Sequence, residues 1–182
     1  MNNDDRRGAT LVVQHLVAAG YRRVTYLSQS MHGAMKEAMV TAEREVGYRA
    51  AMQAAGLARH IQVVEALQTS RDIQAAARQL LQSRNRPEAI FCWTDFIALE
   101  VLSVARELGL SVPGDLAVVG YDNTSYCDLM QNSLTSVDQS GQVLGLQAAR
   151  LLVERIGGRT AAEHFIVTPR LVERASSRHR PA

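Results

Sequence analysis

Apolar positions recur at helical spacing through residues 6–19, where Ala9, Val12, Val13, Leu16 and Val17 form one stripe and Gly20 follows as a C-cap candidate. Val24-Thr25-Tyr26-Leu27 then reads as a short buried strand. The pattern repeats along the chain. Helices are expected over 37–55 (closed by Gly56), 70–83 (with Ser70 as N-cap), 95–108 (closed by Gly109) and 141–156 (closed by Gly157-Gly158). Between them lie short apolar runs with strand character: Ile61–Val64, Ala89–Trp93, Leu116–Tyr121 and Leu134–Val137. Phe165–Val167 and the stretch 170–174 add two shorter candidates.

Strands alternating with helices argue for an α/β fold, a doubly wound parallel sheet covered on both faces. In such sheets ligands bind beyond the C-terminal ends of the strands. That draws attention to Ser28, to Thr94-Asp95 and to Asp122-Asn123, which each follow a strand.

Composition narrows the class. The chain has 182 residues, 47% hydrophobic and 21% charged, as expected of an ordinary globular domain. It contains no apolar run of about 18 residues, so no membrane span is expected. Met1-Asn2-Asn3-Asp4-Asp5-Arg6-Arg7 has no apolar region behind it and does not read as a secretory signal. Cys92 and Cys127 are too few for a disulfide framework and lack metal-ligand spacing, so a reducing cytoplasm and no metal or cofactor are expected. The net charge is only +2. Arg170, Arg174, Arg178 and Arg180 read as a solvated basic tail rather than a nucleic-acid face.

Enzyme signatures are absent: there is no Gly-x-Ser-x-Gly elbow, no Gly-rich phosphate loop and no His-x-x-x-His pair, and the five histidines are scattered. Binding candidates remain. Asp122 ends a strand, and a carboxylate there suits hydroxyl groups of a polyol; an Asx-turn is the competing explanation. Trp93 offers a flat face for a sugar ring or a core residue. Asp95 could act in a site or simply favour the start of its helix, as a carboxylate does in a first turn. The forked donors of Arg44 suit a carboxylate or hydroxyl ligand, against a surface ion pair with a nearby Glu.

Several segments together resemble the LacI/GalR family of bacterial regulators. Gly8-Ala9 through His15-Leu16, followed by Gly20-Tyr21-Arg22-Arg23-Val24, is similar to the family's opening stretch. Further matches are Arg44-Glu45-Val46-Gly47-Tyr48, Pro87–Phe91 with Thr94-Asp95 and Ala98, the run 109–123, Leu134–Gln139 with Gly145 and Ala148, and the ending Pro169–Ser176. They occur in the family's order along nearly the whole chain.

The resemblance implies the C-terminal part of a periplasmic-binding-protein-like (type I) effector domain. Residues 4–138 would be the C-lobe, 139–170 a remnant of the N-lobe, and 171–182 a terminal segment and tail. By this matching the helix-turn-helix head would precede Met1, so operator DNA would be met only through that head. The implied effector is a sugar or related small molecule, and the implied assembly a homodimer. Family ligand contacts fall on Arg44, Asp122 and Gln139, with Thr94 and Asp95 near the hinge side of the pocket, and Trp93 beside them is added as an effector-binding candidate. Thr94 stands where the family usually has Asn, and Trp93 is atypical. A transport-type periplasmic sugar-binding protein is the alternative. Phe96 and Leu99 lie opposite the stripe Ile97, Val101, Val104, Ala105 and Leu108 and are expected at the dimer interface. The face Leu144, Ala148, Leu151, Leu152 and Ile156 is expected to stay partly exposed.

Overall fold

A computed structural model describes residues 2–30, 40–67, 69–129 and 133–178, the side chains of Val40 and Thr41 aside. Strand β1 (Asn2–Asn3) leads into α1 (Asp5–Ala18), β2 (Val24–Gln29), α2 (Val40–Ala54), β3 (Gln62–Ala66), α3 (Ser70–Leu81) and β4 (Ala89–Cys92). Then come α4 (Asp95–Glu107), β5 (Ala117–Tyr121), the short α5 (Tyr126–Leu129), β6 (Thr135–Asp138), α6 (Gly141–Ile156), β7 (Ile166–Val167) and β8 (Arg170–Val172). The expected helix start at 37–39 lies outside the described residues.

Six strands form one sheet in the order β3-β2-β4-β5-β6-β8. The first five are mutually parallel, and β8 runs antiparallel beside β6, with Val137 opposite Leu171. The period of two along each strand divides its side chains between two cores. Val24, Tyr26, Ala89, Phe91, Ala117, Val119 and Tyr121 pack with α1 and α2. Leu27, Ile90, Cys92, Leu116 and Val118 pack with α3 and α4. This is the doubly wound arrangement the alternation predicts, and burial of both faces explains why the central strands β4 and β5 are almost wholly apolar.

Local signals account for the helix boundaries. Asp4 caps α1 by accepting from the Arg7 N–H at 2.9 Å, and Gly20 turns the chain out with φ +95°. The cap of α3 is Thr69 rather than Ser70; its hydroxyl accepts from the Asp72 N–H at 3.2 Å. Helices α1 and α2 meet at Gly47, where an added Cβ would lie 2.5 Å from the Arg6 carbonyl oxygen.

Two features depart from the sequence reading. The basic ending is not wholly a solvated tail. Ser176 Oγ donates to the Val118 carbonyl (2.6 Å) and accepts from the Thr135 N–H (2.9 Å), tying the end of the chain between β5 and β6. The Arg174 side chain is only 11% exposed. The reason is the antiparallel return of β8, which draws the residues after it across the sheet edge; Arg180 lies outside the described residues. Separately, β1 and β7 form a small parallel ribbon apart from the main sheet.

No residue of α6 is buried. Leu144 and Leu151 are half-buried, whereas Ala148, Leu152 and Ile156 of the expected stripe are exposed.

Candidate functional site

The C-terminal ends of β4, β5 and β6 deliver Trp93–Asp95, Asp122-Asn123 and Gln139-Ser140 to one rim of the sheet. The three non-glycine residues with left-handed backbone among those described, Asp122 (φ 110°), Asn123 (φ 50°) and Ser140 (φ 53°), all sit there. Strained backbone of this kind persists only where surrounding contacts hold it, and it concentrates at binding sites.

Arg44 reaches this rim from α2. Its side chain is 4% exposed. Nε donates to Asp5 Oδ1 at 2.8 Å, and Nη1 donates to the Trp93 carbonyl at 2.6 Å. The guanidinium carbon lies 3.5 Å from the Tyr121 ring centroid and 5.9 Å from that of Trp93. The arginine is thus clamped in plane by a carboxylate and stacked on an aromatic face, with its cation desolvated. The surface pair with a neighbouring Glu that local sequence favoured does not form: Glu43 takes Arg6 and Glu45 takes Arg49.

Asp122 accepts a short hydrogen bond from Gln139 Nε2, and Gln139 Oε1 accepts from Asn3 Nδ2 at 3.0 Å. Burial is the main influence on the Asp122 carboxyl and raises it to about 6; the Arg44 cation opposes that rise and the Asp95 charge adds to it. Arg44, Asp122 and Gln139 come from three distant segments and converge on one region around Tyr121.

Thr94 caps α4, its hydroxyl accepting from the Ile97 N–H at 3.3 Å. Asp95, read from sequence among the ligand contacts, is 1% exposed, and both oxygens are occupied by internal donors. Its position in the first helical turn points it inward, so the structural alternative describes it better. Trp93 is half-buried and packs against both cores. Its indole N–H and the Asn3 Oδ1 are buried with no hydrogen-bond partner among the described residues, the kind of orphaned polar groups a ligand or ordered water satisfies.

Sequence reasoning missed Asn3, Asp5 and Tyr121. For Asp5 a signal existed: two adjacent carboxylates, Asp4 and Asp5, stand at the start of α1, and a cap needs only one. Among the described residues no cluster of three or more His, Cys, Asp or Glu could hold a metal ion, and no helix is long and apolar enough to cross a membrane.

This fold matches known proteins. Residues 13–177 match the family model described as a periplasmic binding protein-like domain. The chain belongs to this family, in its LacI/GalR-type branch. Catabolite control protein A of Priestia megaterium is 32% identical over 171 residues, spanning 93% of this chain and 50% of that protein. A solved transcriptional regulator, CelR in complex with cellobiose, is 31% identical with a TM-score of 0.81, covering 96% of this chain and 52% of the other. A LacI family regulator from Enterococcus faecium with bound ribose shares the fold at a TM-score of 0.87 and 23% identity, covering 98% of this chain and 65% of the other. The chain therefore spans about half the length of the curated relatives it matches, and the two solved structures named here are transcriptional regulators.

Proposed function

We propose that this domain senses a small hydroxylated effector, a sugar or a related molecule, on behalf of a LacI/GalR-type DNA-binding regulator in the cytoplasm, and that it acts by binding rather than catalysis. The observation that carries the reading is the convergence of Arg44, Asp122 and Gln139 beside Trp93 at the strand ends. A fixed cation supplies hydrogen-bond donors, a carboxylate accepts from neighbouring hydroxyls, and an amide can do either. Trp93 supplies an apolar face. The similarity to CelR, solved in complex with cellobiose, supports the sugar class.

In this reading residues 4–138 act as the C-lobe, with β8 closing its edge, and residues 139–170 contribute to a second lobe. Operator DNA is met through a head outside this chain. The test is a thermal-shift screen of mono- and disaccharides on the full-length gene product. At least one hydroxylated ligand raises the Tm of the wild type and fails to raise that of Asp122→Asn. A ligand that stabilises both equally overturns the assignment of Asp122, and a panel with no hit overturns the carbohydrate class.

We also propose a homodimer through α4. Ile97, Val101, Val104 and Ala105 are buried on the domain's own sheet, while Phe96 is 52% exposed and Leu99 half-buried on the other side. Leu99→Asp in the intact regulator is expected to sediment as a monomer; an unchanged dimer removes this interface.

A further inference from the structure

The residue that does most to shape the rim does not face it. The Asp95 carboxylate accepts four hydrogen bonds. Oδ1 takes Ser136 Oγ at 2.6 Å, and Oδ2 takes the Thr124 N–H at 2.7 Å, Thr124 Oγ1 at 3.0 Å and Cys127 Sγ at 3.2 Å. Ser136 Oγ in turn accepts from the Asn123 N–H at 3.0 Å. The two consecutive amides after Asp122 are therefore both fastened to Asp95, one directly and one through a single hydroxyl. Gly120 makes the approach possible, since a Cβ there would lie 2.2 Å from Asp95 Oδ1.

These amides belong to the strained turn. Asp122 and Asn123 hold φ of 110° and 50°, a conformation L-residues adopt only when contacts enforce it. Relaxing Asp122 to an ordinary negative φ would swing its Cα–Cβ bond to another side of the strand and part its carboxylate from Gln139. Arg174 fastens the turn from the opposite side, with Nη2 donating to Asn123 Oδ1 at 2.8 Å and Nη1 to the Leu134 carbonyl at 2.9 Å.

We propose that Asp95 is a positioning residue: a buried carboxylate clamp that holds the left-handed Asp122-Asn123 turn and thereby aims Asp122 at the effector. The consequence for binding rests on the proposed function above; the clamp itself does not.

The test is amide hydrogen exchange by NMR on the chain, comparing Asp95→Asn with the wild type, together with a crystal structure of the variant. In Asp95→Asn a side-chain N–H₂ replaces one acceptor and faces donors. Exchange at Asn123 and Thr124 is expected to accelerate on the order of tenfold or more beyond any common change at Ile90 and Val118, as suits the loss of a hydrogen bond to a charged group. Asp122 is expected to leave the left-handed region. The same acceleration at all four amides, or a retained positive φ at Asp122, overturns the clamp. Should Asp95→Asn not fold, Ser136→Ala carries the test: it cuts only the relay to Asn123, whose amide speeds up while that of Thr124 does not, and equal acceleration of both overturns the proposal. No ligand is needed for this experiment, so it succeeds or fails separately from the Asp122→Asn thermal-shift result.

Discussion

Arg44 and Asp5 form an ion pair at 2.8 Å with both side chains buried, 4% and 5% exposed. Burial sets its importance apart from the neighbouring Arg6–Glu43 pair, which is 60% and 49% exposed and, screened by solvent, adds little to stability. Removing one member of a buried pair leaves an uncompensated charge. Asp5→Ala is expected to destabilise the domain by about 3–5 kcal/mol, read as a lower urea midpoint. Asp5→Ala combined with Arg44→Met should recover much of that loss. A single variant that unfolds like the wild type would show that the pair is solvated.

Asp122 gives the domain a pH dependence of defined sign. Its carboxyl titrates at about 6 in the folded state against an ordinary 3.8, so the folded state holds the proton more tightly. Between about pH 4 and 6 its contribution to stability therefore falls as pH rises, and above that the ionised group is carried at a cost. Because Asp122 is only partly buried, Asp122→Asn is expected to gain about 1–2 kcal/mol at pH 8, a gain that fades below pH 4. Effector affinity should run the opposite way, strengthening from pH 5 to 7 as the acceptor ionises and staying flat in the Asn variant. Urea melts and calorimetric titrations across pH 4–8 check both slopes.

Two glycines in helices should respond oppositely to alanine. At Gly47 a Cβ meets backbone, 2.5 Å from the Arg6 oxygen and 2.9 Å from its Cα, which cannot rotate away. Gly47→Ala is expected to destabilise by about 1–3 kcal/mol through overpacking, despite the better helix propensity of alanine. At Gly145 in α6 nothing lies within 4 Å, and Gly145→Ala should be neutral or stabilising by up to about 1 kcal/mol. Thermal melts of the two variants decide this; a stabilising Gly47→Ala would mean that α1 and α2 are not held at that distance.

Helix α6 should be the least protected helix of the chain studied alone. Leu146, Leu152, Val153 and Ile156 are 72%, 61%, 67% and 79% exposed, and each unburied side chain forgoes about 1.5–3 kcal/mol of transfer free energy. Amides over 141–156 are expected to exchange well ahead of those at Ile97, Val101 and Val104, and the chain to self-associate with concentration. Leu152→Glu with Ile156→Glu should reduce that association without lowering the Tm. Strong, uniform protection through Leu151, Leu152 and Ile156 in a monomer would refute the exposure.

What could be read from sequence was whatever repeats locally. The strands at Val24, Ala89 and Ala117 announce themselves as short apolar runs because the sheet buries both faces, and the helices by their stripes and closing glycines. The convergence of Arg44, Asp122 and Gln139 followed from family resemblance, not from spacing. Tertiary structure decided the rest, since charge compensation and turn strain depend on residues remote in the chain. Arg44 finds Asp5 across a separation of 39 residues, and Asp95 finds Ser136 across 41. Arg174 looked like part of a solvated tail until β8 folded back against β6 and carried it to Asn123. No periodicity encodes such partners: a side chain's composition says that it must be satisfied when buried, and only the fold says by whom.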